Sequence, residues 1–160
     1  MLSGHLQGRL LSMFSNMMKP NSILEIGTYT GYSAICLAEG LQDDGKLITI
    51  DINEELEDFA NLYFERSGYK DKIEMLIGHA GTIIPKLDYV WDLVFIDADK
   101  ANLSHYNDLV FDQVRVGGYV IADNVLWSGK IIEKVDSNDV DTKALIDFIR
   151  NVHNDKRVEN

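Results

Sequence analysis

The stretch that most constrains the fold is Ile23-Leu24-Glu25-Ile26-Gly27-Thr28-Tyr29-Thr30-Gly31-Tyr32-Ser33. Its apolar run of four to five residues predicts a short strand buried in a parallel sheet. Gly27 and Gly31 bracket the following turn, where the backbone must bend sharply or let a ligand come close. A helix is predicted from Ser33 to Leu41. The acid near the strand end, Glu25, would suit a ligand with a cationic amine better than a phosphate.

The glycine spacing separates two classes of nucleotide site. Dinucleotide-binding proteins carry G-x-G-x-x-G after a strand, and phosphate loops continue into Gly-Lys-Ser/Thr. This chain has G-x-x-x-G with an acid two residues before the first glycine. The pattern E-x-G-x-x-x-G resembles the nucleotide-proximal motif of class I S-adenosylmethionine (SAM)-dependent methyltransferases. The alternative is an ordinary strand-turn-helix corner with two turn glycines.

Strands and helices are predicted to alternate along the whole chain. The predicted strands are 23–26, 47–50, 73–77, 91–96 and 119–122, with a turn at 117–118 before the last. The predicted helices are 3–18, with Ser3 as its cap, 33–41, 53–67, a short one to 87, 103–114 and 142–152. The first is predicted to be amphipathic, with apolar residues at helical spacing: Leu6, Leu10, Met13, Phe14 and Met17. This alternation predicts an α/β fold with a doubly wound, mostly parallel, Rossmann-like sheet. With 160 residues and no linker, residues 1–160 are expected to form one domain.

The predicted strands end in polar residues. Four of them end in acids or amides, and the third ends in Gly78-His79. The acids and amides at the ends of those four strands are Glu25, Asp51, Asp97, Asp123 and Asn124. Because ligands of open parallel sheets bind outside the carboxyl ends of the strands, this convergence predicts a ligand site there. The alternative is that loop acids only form turns.

Two sets of these residues predict particular chemistry. Asp51 ends the second strand, where a carboxylate can accept bonds from both ribose hydroxyls, although an acid there also suits the next helix dipole. Asp97, Asp123 and Asn124 offer oxygen ligands for a hard cation, Mg²⁺ or alternatively Mn²⁺ or Ca²⁺, unless they are turn-forming residues. Lys100, above the same edge, is either a general base or a surface lysine.

Composition excludes several classes of function. The net charge of −11 argues against nucleic acid or an anionic membrane as partner, because both bind basic surfaces. The single cysteine, Cys36, leaves no disulfide or thiolate cluster and is expected in the core. No run of 18 apolar residues and no signal peptide are found, so a cytoplasmic location is expected.

Five motifs, in order, resemble the cation-dependent O-methyltransferases of the caffeoyl-CoA and catechol type. They are ILEIGTYTGYSA, TIDIN, GHAGTIIP, DLVFIDADKANLSHY and GGYVIADNVLWSG. The resemblance runs from about Met1 to Trp127 and implies SAM as the methyl donor. The implied cofactor-binding residues are Ser3, Glu25, Gly27, Thr28, Tyr29, Ser33, Asp51, His79, Ala80 and Asp97. The implied metal ligands are Asp97, Asp123 and Asn124. The implied catalytic residues are Lys100, as the general base, and Asp97. Trp127 is expected to form part of the wall that faces the acceptor.

The resemblance implies a reaction and its partners. A divalent ion would hold both oxygens of a small catechol-like acceptor, and one of its hydroxyls would receive the methyl group of SAM. A homodimer is expected. Compared with the family, the chain lacks residues before Met1 and most of the final antiparallel strand pair, so a sheet without those strands is expected. The alternatives are transfer to another small hydroxylated acceptor, such as a hydroxamate or flavonoid, and a SAM-binding domain inactive through truncation.

Overall fold

The computed structural model describes residues 4–160 and shows the alternation that the sequence predicts. The strands are β1 (Ser22–Ile26), β2 (Lys46–Asp51), β3 (Ile73–Ile77), β4 (Trp91–Ile96) and β5 (Val114–Ala122). The helices are α1 (His5–Met18), α2 (Tyr32–Ala38), α3 (Glu57–Ser67), α4 (Ala80–Ile83), α5 (Leu103–Phe111) and α6 (Val140–Asn154). Short 3₁₀ turns lie at Glu54–Leu56, Ile84–Lys86, Lys100–Asn102 and Trp127–Ile132.

The five strands form one sheet in the order β3-β2-β1-β4-β5. Every neighbouring pair of strands is parallel, including β4 and β5. The chain leaves β3 at one edge and returns to the centre as β4, so the strand order reverses beside β1. The predicted doubly wound Rossmann-like sheet is confirmed, and no antiparallel strand occurs in residues 4–160. The carboxyl ends of all five strands share one edge.

Helices cover both faces of this sheet and bury two apolar clusters. One cluster joins β-strand residues to α1, α2 and α3 and contains Leu11, Cys36 and Phe64. The other joins the opposite face to α4, α5 and α6 and contains Ile84, Tyr106 and Phe148. The predicted core position of Cys36 is confirmed, since the residue is buried. Among the helices of residues 4–160, none has the length and apolarity needed to cross a membrane.

The last strand begins earlier than predicted. The sequence predicted a helix to Val114, a turn at 117–118 and a strand from Tyr119, whereas β5 already pairs Val114 with Trp91. The register shifts before Leu93 pairs with Tyr119, so the intervening residues of β5 bulge out of the ladder. Gly117 has a φ of 75° in this bulge. The two glycines therefore mark a bend within a strand, which shortens α5 to Phe111.

Helix α1 packs with a different face from the one its sequence suggests. Its apolar stripe at helical spacing faces solvent, whereas its buried side carries Gly8, Leu11, Ser12 and Ser15. The exposed stripe consists of Leu6, Leu10, Met13, Phe14 and Met17. Small residues let α1 approach α2 closely, and Ser15 Oγ donates to the Leu37 carbonyl at 2.5 Å. The N-cap is Gly4, and Ser3, the predicted cap, lies outside the described residues.

Candidate functional site

A cleft of about 930 Å³ opens at the carboxyl edge of the sheet. Its volume lies within the range of small-molecule and cofactor sites. Most of the residues predicted for the site line it: Gly27, Thr28, Tyr29, Ser33, Asp51, His79, Ala80, Asp97, Lys100, Asn124 and Trp127. Glu25 and Asp123 do not line it, and Ser3 lies outside the described residues. The structure thus brings most of the predicted residues together, and their roles stay predictions.

The glycine turn after β1 has a backbone that other residues could not adopt without strain. Gly27 has a φ of 105°, and a Cβ there would overlap the Asp97 carbonyl at the end of β4. Gly31 has a φ of 78°, and a Cβ there would lie 2.5 Å from the Phe64 ring. Gly31 N–H donates to the Thr28 carbonyl at 2.8 Å, which closes the turn. The two glycines bring the loop against β4 and α3 beside the cleft.

The Asp51 carboxylate joins the loops that follow β1 and β2. Its Oδ2 accepts a hydrogen bond from Tyr29 N–H at 2.7 Å, and its Oδ1 accepts one from Asn53 N–H at 2.9 Å. Each oxygen keeps a second lone pair. Asp51 is partly exposed to the cleft, so it can still accept hydroxyl groups of a ligand. It therefore organises both loops and offers acceptors at the predicted ribose position.

Glu25 lies beneath the glycine turn, completely buried. Its Oε2 accepts a hydrogen bond from Thr49 Oγ1 at 2.5 Å, and Thr28 Oγ1 lies 2.6 Å from Thr49 Oγ1. Its Oε1 has no hydrogen-bond partner among residues 4–160. Burial raises the pKa of the Glu25 carboxyl to about 7, and the nearby Ser33 and Thr49 hydroxyls oppose that rise. An unsatisfied acceptor under the turn fits a ligand that brings a donor or a positive charge.

The raised pKa of Glu25 predicts that the folded chain becomes less stable as pH rises. Because the folded pKa of about 7 exceeds the ordinary 4.5, the folded chain holds this proton more tightly than the unfolded chain. The contribution of Glu25 to stability is therefore fully present below pH 4.5 and falls as pH rises to about 7. Replacing Glu25 by glutamine should stabilise the chain by about 2–3 kcal/mol more at pH 8 than at pH 5. Urea unfolding at both pH values measures this, and an equal effect at both would contradict the assignment.

The loop after β3 closes the far side of the cleft. Gly78 has a φ of 144°, and His79 Nδ1 accepts a hydrogen bond from Gly81 N–H at 3.1 Å, which caps the short helix α4. Ala80 is buried, and both His79 and Ala80 line the cleft. The structure therefore places these two residues, which are predicted to bind the cofactor, on the side of the cleft next to Asp51.

A second polar corner lies where β4 and β5 end. Lys100 Nζ lies 3.6 Å from Asp97 Oδ1 and donates to the Asp123 main-chain carbonyl at 3.1 Å. The Lys100 side chain is only 8% exposed, which rules out the alternative of a surface lysine. Asn124 follows with a left-handed φ of 55° and lines the cleft. The predicted metal ligands and the predicted base thus lie in one corner.

The donor set of this corner fits a hard divalent cation. Burial and the neighbouring Asp123 carboxylate raise the pKa of Asp97, whereas Lys100 lowers it. Two carboxylates that repel each other, with an amide beside them, are what a bound cation would stabilise. Residues 4–160 contain no metal-binding group of three or more His, Cys, Asp or Glu side chains, so the third ligand would be the Asn124 amide.

Several residues around the cleft were missed by the sequence interpretation. Thr49 points from mid-strand to Glu25, and Gln7 of α1 donates to Asp123. Tyr106 donates to Asp99 Oδ1 at 2.8 Å at the cleft wall. Lys130 lies with Nζ 5.9 Å from the centre of the Trp127 ring. Of these four residues, only Lys130 could have been proposed from the sequence, because it is a charged residue that closely follows Trp127 of the predicted acceptor wall.

Fold and site together define an α/β protein with a cleft at the carboxyl edge of its parallel sheet and an adjoining polar corner. The family model for O-methyltransferases matches residues 1–160. Caffeoyl-CoA O-methyltransferase 2 of Petunia hybrida is 36% identical over 140 residues, and caffeoyl-CoA O-methyltransferase of Petroselinum crispum is 35% identical over 140. This chain belongs to the O-methyltransferase family, which confirms the resemblance.

The matches differ in how much of each relative they span. Both alignments cover 82% of this chain but 57% of the relative, so the chain spans a little over half the length of these curated relatives. An O-methyltransferase from Bacillus cereus, solved in complex with SAH, superposes with a TM-score of 0.93 at 31% identity over 99% of this chain and 73% of that one. TomG of Streptomyces achromogenes, solved with SAM, gives 0.91 at 30% identity, over 97% and 71%.

Proposed function

We propose that residues 1–160 act as one domain that transfers a methyl group from SAM to a hydroxyl of a small, catechol-like acceptor, assisted by a divalent cation. The observation that carries the proposal is that the glycine turn, Asp51 and the Asp97–Lys100 corner all line one cleft. The names of the relatives support methyl transfer to oxygen, and the solved neighbours were determined with SAM or SAH.

The β1–β2 side of the cleft supports the cofactor assignment. Asp51 offers carboxylate oxygens where two ribose hydroxyls would lie, and both loops around it are fixed by its hydrogen bonds. Within the described part of the chain, Glu25 keeps an unpaired acceptor beneath the turn, which suits the ammonium group of the methionine part. Ser33, buried at the start of α2, is proposed to contact the carboxylate of that part. The ammonium of the methionine part would therefore meet a carboxyl acceptor, and its carboxylate would meet a hydroxyl donor.

The β4–β5 corner supports the cation assignment. Asp97, Asp123 and Asn124 would hold the ion, and when bound it would favour the ionised form of a coordinated hydroxyl. Mg²⁺ fits these oxygen ligands, and Mn²⁺ and Ca²⁺ are alternatives. The Asp97 carboxylate and the Asp123 main-chain carbonyl also keep Lys100 in place within the cleft wall.

Lys100 is proposed to take the proton from the acceptor hydroxyl. A phenol has a pKa near 10, so few acceptor molecules are ionised at neutral pH without a nearby base and positive charge. The Lys100 amine is buried at the cleft wall between Asp97 and Asp123, so it would meet the acceptor hydroxyl from a fixed position. Alignment of acceptor and methyl donor would supply much of the remaining acceleration.

The acceptor class is tested by a panel of three small molecules. With SAM and Mg²⁺, catechol should be methylated at one oxygen, whereas phenol and anisole should give no product, because only catechol offers two adjacent hydroxyls. Mass spectrometry of the products measures this. Equal methylation of phenol and catechol would contradict the catechol-like class and favour another hydroxylated acceptor. The homodimer and the cytoplasmic location expected from the sequence stay predictions.

A further inference from the structure

One contact at the polar corner of Asp97, Lys100 and Asp123 comes from α1, far away in the sequence. Gln7 Nε2, on the first turn of α1, donates to Asp123 Oδ2 at 2.9 Å across a sequence separation of 116 residues. The bond is partly buried. Helix α1 otherwise packs on α2, so this hydrogen bond ties the start of α1 to the carboxyl end of β5.

The main chain of Asp123 is already fixed by other groups. Its N–H donates to the Ile96 carbonyl at 3.0 Å, and its carbonyl accepts from Lys100 Nζ at 3.1 Å. What these bonds leave free is the rotation of the side chain. Within residues 4–160, Gln7 makes the one hydrogen bond found to the Asp123 carboxylate, and Oδ1 has none. The orientation of this carboxylate therefore depends on Gln7.

Gln7 is itself held in position by its neighbours on α1. Gly8, the next residue, lies directly against the Tyr32 ring, where any Cβ would overlap it. Arg9 Nη2 lies 2.6 Å from Glu39 Oε1, and Ser12 Oγ donates to Glu39 Oε2 at 2.5 Å. These contacts fix the rotation of α1 on α2, so the amide of Gln7 is directed at Asp123.

The chemistry of the amide suits this task. A lysine or arginine at position 7 would neutralise the carboxylate and repel a cation, whereas a neutral amide orients the carboxylate and leaves its charge. Hydrogen-bond partners that orient metal ligands typically change metal affinity 10–100-fold when removed.

We propose that Gln7 is a positioning residue that holds Oδ2 of Asp123 so that Oδ1 is presented to the divalent cation. The inference rests on the proposed function, because it takes Asp123 as a ligand of the ion. It assigns a role to α1 that lies outside the cofactor and acceptor contacts.

The test compares two methionine variants on the same helix. Gln7→Met removes the amide while keeping length and helix propensity, and Arg9→Met breaks the ion pair to Glu39 without touching Asp123. Mn²⁺ alone is titrated into each variant of residues 1–160, and free Mn²⁺ is followed by electron paramagnetic resonance. We expect Gln7→Met to bind Mn²⁺ at least about tenfold more weakly, with SAH affinity and melting temperature nearly unchanged. Arg9→Met should keep the wild-type Mn²⁺ affinity, because the contact of Gly8 with Tyr32 and the hydrogen bond from Ser15 to Leu37 still hold α1 on α2.

Two outcomes would overturn the inference alone: an unchanged Mn²⁺ affinity in Gln7→Met, or an equal loss in both variants, which would assign the effect to the docking of α1. If the wild-type chain binds no Mn²⁺, the cation part of the proposed function fails, and the inference fails with it. Mn²⁺ binding in the wild type thus separates the two failures.

Discussion

Replacing Asp97 by asparagine should lower the rate of metal-dependent methyl transfer by roughly 100-fold or more. Removing a mere hydrogen-bond partner of a metal ligand typically costs 10–100-fold, and Asp97 is proposed as a ligand itself. The change also removes the carboxylate that lies 3.6 Å from Lys100 Nζ, so the amine loses its charged neighbour. SAH should still bind, with weakened affinity, because Asp51 and the glycine turn remain. Initial rates with catechol, SAM and Mg²⁺, together with SAH calorimetry, measure both effects.

Asp141→Asn is the matched control for this experiment. Asp141 also lines the cleft, but it is exposed, lies in the first turn of α6 and makes no contact with Lys100 within the described part of the chain. The same carboxylate-to-amide change there should leave the rate within about twofold, as surface changes usually have small effects. Wild-type turnover by Asp97→Asn, or turnover independent of added metal, would remove Asp97 from the proposed role.

Replacing Gly27 by alanine should destabilise the fold by about 2–5 kcal/mol and weaken SAH binding. A left-handed residue with a Cβ costs about 1–2 kcal/mol, and forcing a methyl group into a packed position costs about 1–3 kcal/mol more. Both costs apply at Gly27, since its φ is 105° and an added Cβ would overlap the Asp97 main chain. That main chain is held in place by its own hydrogen bond to β1. Urea unfolding gives the loss of stability, and calorimetry gives the loss of affinity.

Gly68→Ala separates the cost of backbone strain from the cost of steric overlap. Gly68 ends α3 with a φ of 79°, but nothing lies within 4 Å of a Cβ added there. Only the backbone strain of about 1–2 kcal/mol should appear. If both alanine variants lose the same stability and Gly27→Ala binds SAH normally, the close approach of the turn to β4 has no importance for the site.

Much of the fold followed from local patterns in the sequence. The bounds predicted for β3 and β4 match the structure, because short apolar runs lie between clear turn residues. The shared edge of Asp51, Asp97 and Asn124 followed from parallel pairing alone, since strand ends in one parallel sheet must meet. The family then followed from the order of the motifs.

The contacts that needed three-dimensional packing could not be predicted. The apolar stripe of α1 suggested a buried face, but close approach to α2 favoured the small residues Gly8, Ser12 and Ser15 instead. Gln7 gave no signal, since a glutamine on a helix is ordinary until Asp123 lies beside it. The early start of β5 depends on pairing of Val114 with Trp91, which a local glycine pattern does not reveal.

The most direct test of the account is metal add-back during methyl transfer. The chain is freed of metal with EDTA, dialysed, and given SAM and catechol, and formation of SAH is followed before and after Mg²⁺ is added. The account predicts negligible SAH formation without the ion and sustained formation, with methylated catechol, once Mg²⁺ is present. Transfer at the same rate in EDTA, or no transfer with Mg²⁺ although SAH binds, would contradict it.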